Sequence, residues 1–257
     1  MTYCVGMLTE HGMVLIADTR TNAGIDNISI YKKLHIVEEA DDRLIVIASA
    51  GSLSVTQSML AILAEGLPAL EAESPPRTLA LVPSMFRAAE LVGEALTTAH
   101  RTINQVLLGS SIDSGVSLLL GGRIGSGPLK LYLIYSEGNF IECEADSPFF
   151  QIGELKYGKP MLDRTLQWDT PLDEAVKVGL ISFDATMRSN LSVGRPLDLI
   201  AVPADPHKKP VHFRIEPDDR YFNQLSADWG RLMTEARNAI EDPPFMLGSS
   251  LLPENMK

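Results

Sequence analysis

Up to Ser49 the chain carries four short apolar runs parted by turn residues, and no helical period interrupts them. Thr2–Thr9 and Met13–Asp18 are separated by Glu10-His11-Gly12, and Leu34–Glu38 and Leu44–Ser49 by the acidic turn Glu39–Asp42. Runs of this length bounded by Gly, Asp and Asn predict strands, the first two joined as a hairpin. A polar loop, Thr19 to Asn27, lies between the pairs. From Ser52 the apolar spacing changes: Leu53, Met59, Leu60 and Leu63 suit a helix. Leu67 to Arg77 reads as a loop. A long helix is expected from about Pro83, which suits a first-turn position, to about Gln105, with Phe86, Ala89, Val92 and Leu96 on one face.

The second half repeats this order. Strands are expected at Val116–Gly121, Leu129–Ser136, Phe140–Glu144 and Phe149–Ile152. Helices follow at about Lys156–Leu166 and Leu172–Ser189, then strands at Leu197–Val202 and Val211–Ile215 and a terminal helix from about Phe222 to Ile240. Hairpins without βα alternation favour an α+β fold of antiparallel sheets flanked by helices over a parallel doubly wound sheet. The expected organisation is one domain over 1–242 and an exposed tail over 243–257.

Composition removes several function classes. With 257 residues, 45% hydrophobic and 21% charged, the chain has ample material for a core. A net charge of -11 argues against nucleic acid or an anionic membrane as partner. No apolar stretch nears the roughly 20 residues of a membrane span, and the N-terminus lacks the pattern of a secretory signal. Cys4 and Cys143 form no metal-like pair and suit buried free thiols. The expected location is the cytoplasm.

Thr2 carries the chemistry of interest. A small residue after Met1 favours methionine removal, and a free N-terminal threonine combines a hydroxyl nucleophile with an amine base. Asp18, at a strand end before Thr19, suits either a charged site or a turn cap; Lys32-Lys33 suit a site or two solvated charges. Other candidates fail. Gly121–Lys130 (GGRIGSGPLK) lacks the GK[ST] ending of a phosphate loop and reads as a hairpin turn. His11, His35, His100, His207 and His212 lack metal-ligand spacing. Ser52 is not in a G-x-S-x-G elbow. Glu142 and Glu144 alternate on one strand face, solvated or at an interface.

TYCVGM (2–7), GMVLIADTRTNAG (12–24), DNIS (26–29), the Lys32-Lys33 pair and IASAGS (47–52) together resemble the start of a proteasome-type β-subunit, and most closely the bacterial Anbu family. The resemblance continues with lower specificity through QIGELKYGKPMLDR (151–164), FDATMRSNLSVG (183–194) and PLDLIAV (196–202). It implies a four-layer αββα sandwich of the N-terminal nucleophile hydrolase type. It implies Thr2 as nucleophile, Asp18 and Lys33 as its partners, and the backbone N–H of Gly51 as oxyanion donor. Lys33 is selected over Lys32 by aligning on Leu34 and the strand it starts, since neighbouring side chains of a strand face opposite ways. Thr21, Ser49 and Leu53 fall where similar proteins shape the pocket beside the scissile bond. Arg20 is placed to hold a loop through backbone carbonyls or to meet a neighbouring subunit.

Two positions depart from the proteasome pattern. Glu154 stands where a serine is usual, and Ser189 where an aspartate is usual, while Ser192 matches the second serine. The resemblance implies amide hydrolysis of a peptide or protein through an acyl-enzyme, no metal and no cofactor. It also implies a homo-oligomeric ring or open helix, with any unfoldase partner unknown. The departures leave room for a narrow amidase or acyl transferase on a peptide conjugate, or for a silent ring-forming scaffold.

Overall fold

The computed structural model describes residues 2–22, 28–71, 74–106, 114–243 and 245. The chain divides into two compact units, Met1–Asp219 and Arg220–Lys257.

The first unit opens on the hairpin β1 (Tyr3–Thr9) and β2 (Gly12–Asp18), paired antiparallel with Cys4 opposite Ala17. Every residue of both strands is buried. Their apolar runs are continuous because each face of the pair is covered: Cys4, Leu15 and Ala17 point between the sheets, while Gly179 of a helix lies against Met7 and Ile16 on the other face. The short strands β3 (Arg20–Asn22) and β4 (Ile28–Ile30) pair with each other. β3 occupies part of the segment expected to be a loop; residues 23–27 of that loop lie outside the described residues.

β5 (Leu34–Ala40) and β6 (Arg43–Gly51) follow as an antiparallel pair, and then helix α1 (Leu53–Glu65). Ser52 caps α1, its hydroxyl accepting the N–H of Val55. Helix α2 (Met85–Val106) starts two residues after Pro83 rather than on it. Ser84 does the capping: its hydroxyl accepts the N–H of Arg87, and its carbonyl that of Ala88. Ala89, Val92 and Leu96 are buried as expected, but Phe86 is 49% exposed. Phe86 sits at the rim of the apolar stripe and meets Phe140 edge-on, ring centres 5.5 Å apart.

Strands β7 (Val116–Ile124), β8 (Lys130–Ile134) and β9 (Phe140–Glu142) complete a five-stranded sheet in the order β5-β6-β7-β8-β9. The glycine-rich segment 121–130 is the β7–β8 hairpin. β10 (Phe149–Gly153) pairs with β1. The next helix, α3, spans Lys159–Thr165, three residues later than expected at its start, and α4 spans Leu172–Ser189. β11 (Leu197–Pro203) pairs with β2, and β12 (Val211–Ile215) with β11, giving a second sheet in the order β10-β1-β2-β11-β12.

The two sheets meet through Leu15, Val46, Leu119 and Ile200. The outer face of β6 and β7 packs Ile47 and Leu118 against Met59 of α1 and Leu96 of α2. Helix α4 covers β1 and β2 on the opposite side. The order of layers is therefore αββα. The second unit contains helix α5 (Arg220–Ala239), whose residues from Arg231 onward are exposed. Among the described residues no helix is long and apolar enough to cross a membrane.

Candidate active site

The register of the first hairpin builds the site. Cys4 opposite Ala17 leaves Tyr3 level with Asp18, and the N–H of Tyr3 donates to Asp18 Oδ1 at 3.1 Å. Thr2 therefore stands one residue above the last residue of β2. Its carbonyl accepts the N–H of Glu154 at 2.7 Å. Gly153, with φ +83°, allows this contact, since a Cβ there would lie 2.0 Å from the Thr2 oxygen.

Lys33 enters from the other sheet. Its carbonyl accepts the N–H of Ser49 on β6 at 3.0 Å, which fixes the backbone beside the end of that strand. Its Nζ donates to Asp18 Oδ1 at 2.8 Å and to the carbonyl of Arg20 at 2.6 Å. Lys33 is 5% exposed and Lys32 lies in solvent, so of the two lysines it is Lys33 that faces Asp18. Burial pushes the Asp18 carboxyl above its ordinary range, and the Lys33 ammonium and the Tyr3 N–H draw it back down. Cys4 lies beside this pair, and burial followed by the Asp18 charge pushes its thiol well up. A thiol so held is inert as a nucleophile, and it donates instead toward the Ser49 carbonyl at 3.5 Å.

A cavity of about 590 Å³ opens over these groups, lined by Thr2, Thr21, Lys33, Ser49, Gly51 and Leu53 among others. The sequence-derived nucleophile, lysine, glycine and three pocket residues thus share one cavity. Gly51 ends β6 opposite Val116 with φ +113°, and a Cβ there would lie 2.1 Å from the carbonyl oxygen of Gly115. A larger groove of about 760 Å³ runs beside α2, and the surface pairs Arg77–Glu94 and Arg87–Glu90 stand along it.

The remaining candidates surround the cavity. Glu154 is buried beside Thr2, and its carboxyl is held below the usual range chiefly by the N–H of Lys156, with the side-chain amide of Asn190 adding to it against burial. Arg20 donates Nη1 to the carbonyl of Leu191 at 2.8 Å. Ser192 takes part through its N–H, which donates to Asn190 Oδ1 at 3.0 Å. Ser189 is exposed as the last residue of α4; the polar side chain that reaches toward Thr2's neighbour from this segment is Asn190. Asn190, Gly153 and Gly115 were not among the sequence-derived site residues. Asn190 is one place from Ser189 in the motif 183–194, and the helix end decides which of the two turns inward. Among the described residues no group of three or more His, Cys, Asp or Glu is placed to hold a metal ion.

A buried Lys–Asp pair under a threonine at the head of β1, between two antiparallel sheets flanked by helices, defines the fold of the N-terminal nucleophile hydrolases. The comparisons narrow this. Anbu (ancestral beta-subunit) from Yersinia bercovieri is 42% identical, with 94% of this chain and 98% of that one covered and a TM-score of 0.83. Anbu from Hyphomicrobium sp. strain MC1 is 44% identical over 94% and 99% of the chains, TM-score 0.83. A structure described as a helical assembly of the Anbu complex from Pseudomonas aeruginosa is 40% identical over 94% and 98%, TM-score 0.86. The chain belongs to the Anbu family of proteasome-related proteins. No protein-family model and no curated protein matches it.

Proposed function

We propose that this chain is a threonine-type amide hydrolase acting on peptide bonds from Thr2 once Met1 has been removed. The observation that carries this reading is the shared cavity: Thr2, Lys33 and Gly51 line one concavity, and Lys33 is held there by the buried Asp18. A threonine hydroxyl is too weak an acid to attack unaided, and the adjacent α-amine, with an ordinary pKa of roughly 7.7–8.0, accepts its proton. The Lys33 ammonium favours the neutral amine and the developing alkoxide. Thr2 Oγ bonds to the carbonyl carbon, and the oxygen of that carbonyl becomes an oxyanion stabilised by the N–H of Gly51. The C–N bond then breaks, the proton held by the amine passes to the leaving nitrogen, and water hydrolyses the acyl ester. Thr21, Ser49 and Leu53 would meet the residue that precedes the cut.

The relative from Pseudomonas aeruginosa is described as a helical assembly, and this chain is proposed to assemble with copies of itself in a similar way. The testing experiment is intact mass before and after a peptide epoxyketone. Loss of the Met1 mass and one adduct per chain, absent in Thr2→Ala, is the expected result. Retained Met1 and no adduct would overturn the hydrolase reading and leave a scaffold of the same fold.

A further inference from the structure

The hydrogen bonds of Glu154 and of Lys33 belong to one connected path. Glu154 Oε1 accepts the N–H of Lys156 at 3.0 Å, and Oε2 accepts Asn190 Nδ2 at 2.9 Å. Asn190 Oδ1 accepts the N–H of Ser192, and the Asn190 carbonyl accepts that of Val193 at 3.1 Å, so this one residue folds the turn after α4. An N–H donor on one side and a carboxylate on the other leave a single orientation for the Asn190 amide. The turn so folded presents the Leu191 carbonyl to Arg20 Nη1, and Gly194 lies flat under the guanidinium, where a Cβ would come within 2.4 Å of Arg20 Cζ. The carbonyl of the same Arg20 takes Lys33 Nζ at 2.6 Å. At its other end the path closes on the nucleophile, because Glu154 N–H holds the Thr2 carbonyl.

We propose that Glu154 and Asn190 are positioning residues which, through the turn 190–194 and Arg20, hold Lys33 Nζ in place beside Thr2. The proposal rests on the hydrolase reading for its consequence on rate, though not for its geometry. It assigns a use to the carboxylate that replaces the usual serine. Both of its oxygens accept hydrogen bonds, one from the Lys156 N–H and one from Asn190 Nδ2. Its work is to fix Asn190, and hence the turn that the Arg20 side chain leans on.

The test is a charge-relocating pair. In E154Q the amide has one oxygen for two donors, so either the Asn190 N–H₂ or the Lys156 N–H faces the new N–H₂, donor against donor. In N190D two carboxylates face each other. In the double variant E154Q/N190D, the new amide donates to the new carboxylate, which still accepts from Ser192 N–H, and every bond is restored. Each single variant is expected to slow peptide epoxyketone addition about tenfold, and the double variant to recover to within about twofold. Crystal structures of the three should show Lys33 Nζ leaving the Arg20 carbonyl in the singles and returning in the double. Single variants that melt earlier yet react at the wild-type rate would overturn the proposal, as would a double variant as slow as the singles. A wild type that takes no adduct would overturn the hydrolase reading alone, and the position of Lys33 in the three structures would still decide this one. If a single variant fails to fold, the double, with its full set of hydrogen bonds, carries the comparison.

Discussion

Lys33 Nζ and the backbone N–H of Tyr3 share one oxygen of Asp18, at 2.8 Å and 3.1 Å. That oxygen ties the cation from one sheet to the strand that follows Thr2 on the other. The side chains of the pair are almost wholly out of water, 7% exposed for Lys33 and 0% for Asp18. Removing one partner of such a pair leaves an uncompensated buried charge, which costs about 3–5 kcal/mol. Lys33→Ala is expected to lose about that much in denaturant unfolding and to abolish the epoxyketone adduct. Lys32→Ala, at an exposed position, should stay within about 0.5 kcal/mol and keep the adduct. The reverse pattern would move the catalytic role to Lys32.

Gly51 is held by geometry rather than by chemistry. Its φ of +113° lies where a Cβ is strained, and the carbonyl oxygen of Gly115 occupies the space 2.1 Å from where that Cβ would go. Gly51→Ala must therefore push the start of β7 away from the cavity as well as adopt a poor backbone angle. The backbone strain by itself is of order 1–3 kcal/mol. Loss of an aligned oxyanion donor typically slows acylation about 10²–10³-fold. Thermal unfolding and adduct kinetics check the two halves separately, and wild-type kinetics in a folded Gly51→Ala protein would dismiss Gly51 as the donor.

Most of the fold was legible because burial is written into periodicity. The runs of β1 and β2 lack alternation since both their faces are covered, and the change of spacing after Ser52 marks the cap of α1. What escaped was decided by groups distant in sequence. Glu154 and Asn190 are 36 residues apart, and only the end of α4 determines that Asn190 turns inward while Ser189 faces solvent. Gly153 looked like a strand end, yet its role is to admit the Thr2 carbonyl. Phe86 has the spacing of the core stripe, but its place at the stripe's rim leaves it half exposed against Phe140. In the sequence, alignment on Leu34 favoured Lys33 over Lys32; in the structure both lie just before β5, with Lys33 buried and Lys32 exposed.

Acid should reveal the Glu154 bonds. Its folded-state carboxyl is held below the usual range, first by the Lys156 N–H and then by Asn190. A carboxylate with a depressed folded value contributes stability above its unfolded pKa of roughly 4.3 and loses it as pH falls through the lower folded value. Asp18, pushed up by burial, acts in the opposite sense and offsets part of this loss. Between about pH 5 and pH 3 the wild type should therefore lose more melting temperature than E154Q, which has no charge to neutralise there. Equal losses in the two proteins would show that Glu154 carries no linked proton.

Tyr3 joins β1, the strand behind Thr2, to the helix layer, and its hydroxyl gives a last prediction. The hydroxyl accepts Gln151 Nε2 at 2.6 Å and lies 3.1 Å from Ser182 Oγ on α4, while the ring meets Phe183 at 4.5 Å. Tyr3→Phe keeps the ring contact but strips Gln151 of its acceptor, at a cost of about 1–3 kcal/mol. Burial pushes the Tyr3 hydroxyl up to about 12, with the two hydrogen bonds opposing. A raised folded value means that the neutral hydroxyl is the form the fold holds. Its stabilisation is complete below the unfolded pKa of about 10 and is lost as pH climbs toward the folded value. Tyr3→Phe should accordingly be less stable than the wild type at neutral pH, with the gap narrowing above about pH 10. Denaturant midpoints at the two pH values measure that gap, and a gap that stays constant would mean that Tyr3 ionises as freely in the folded chain as in the unfolded one.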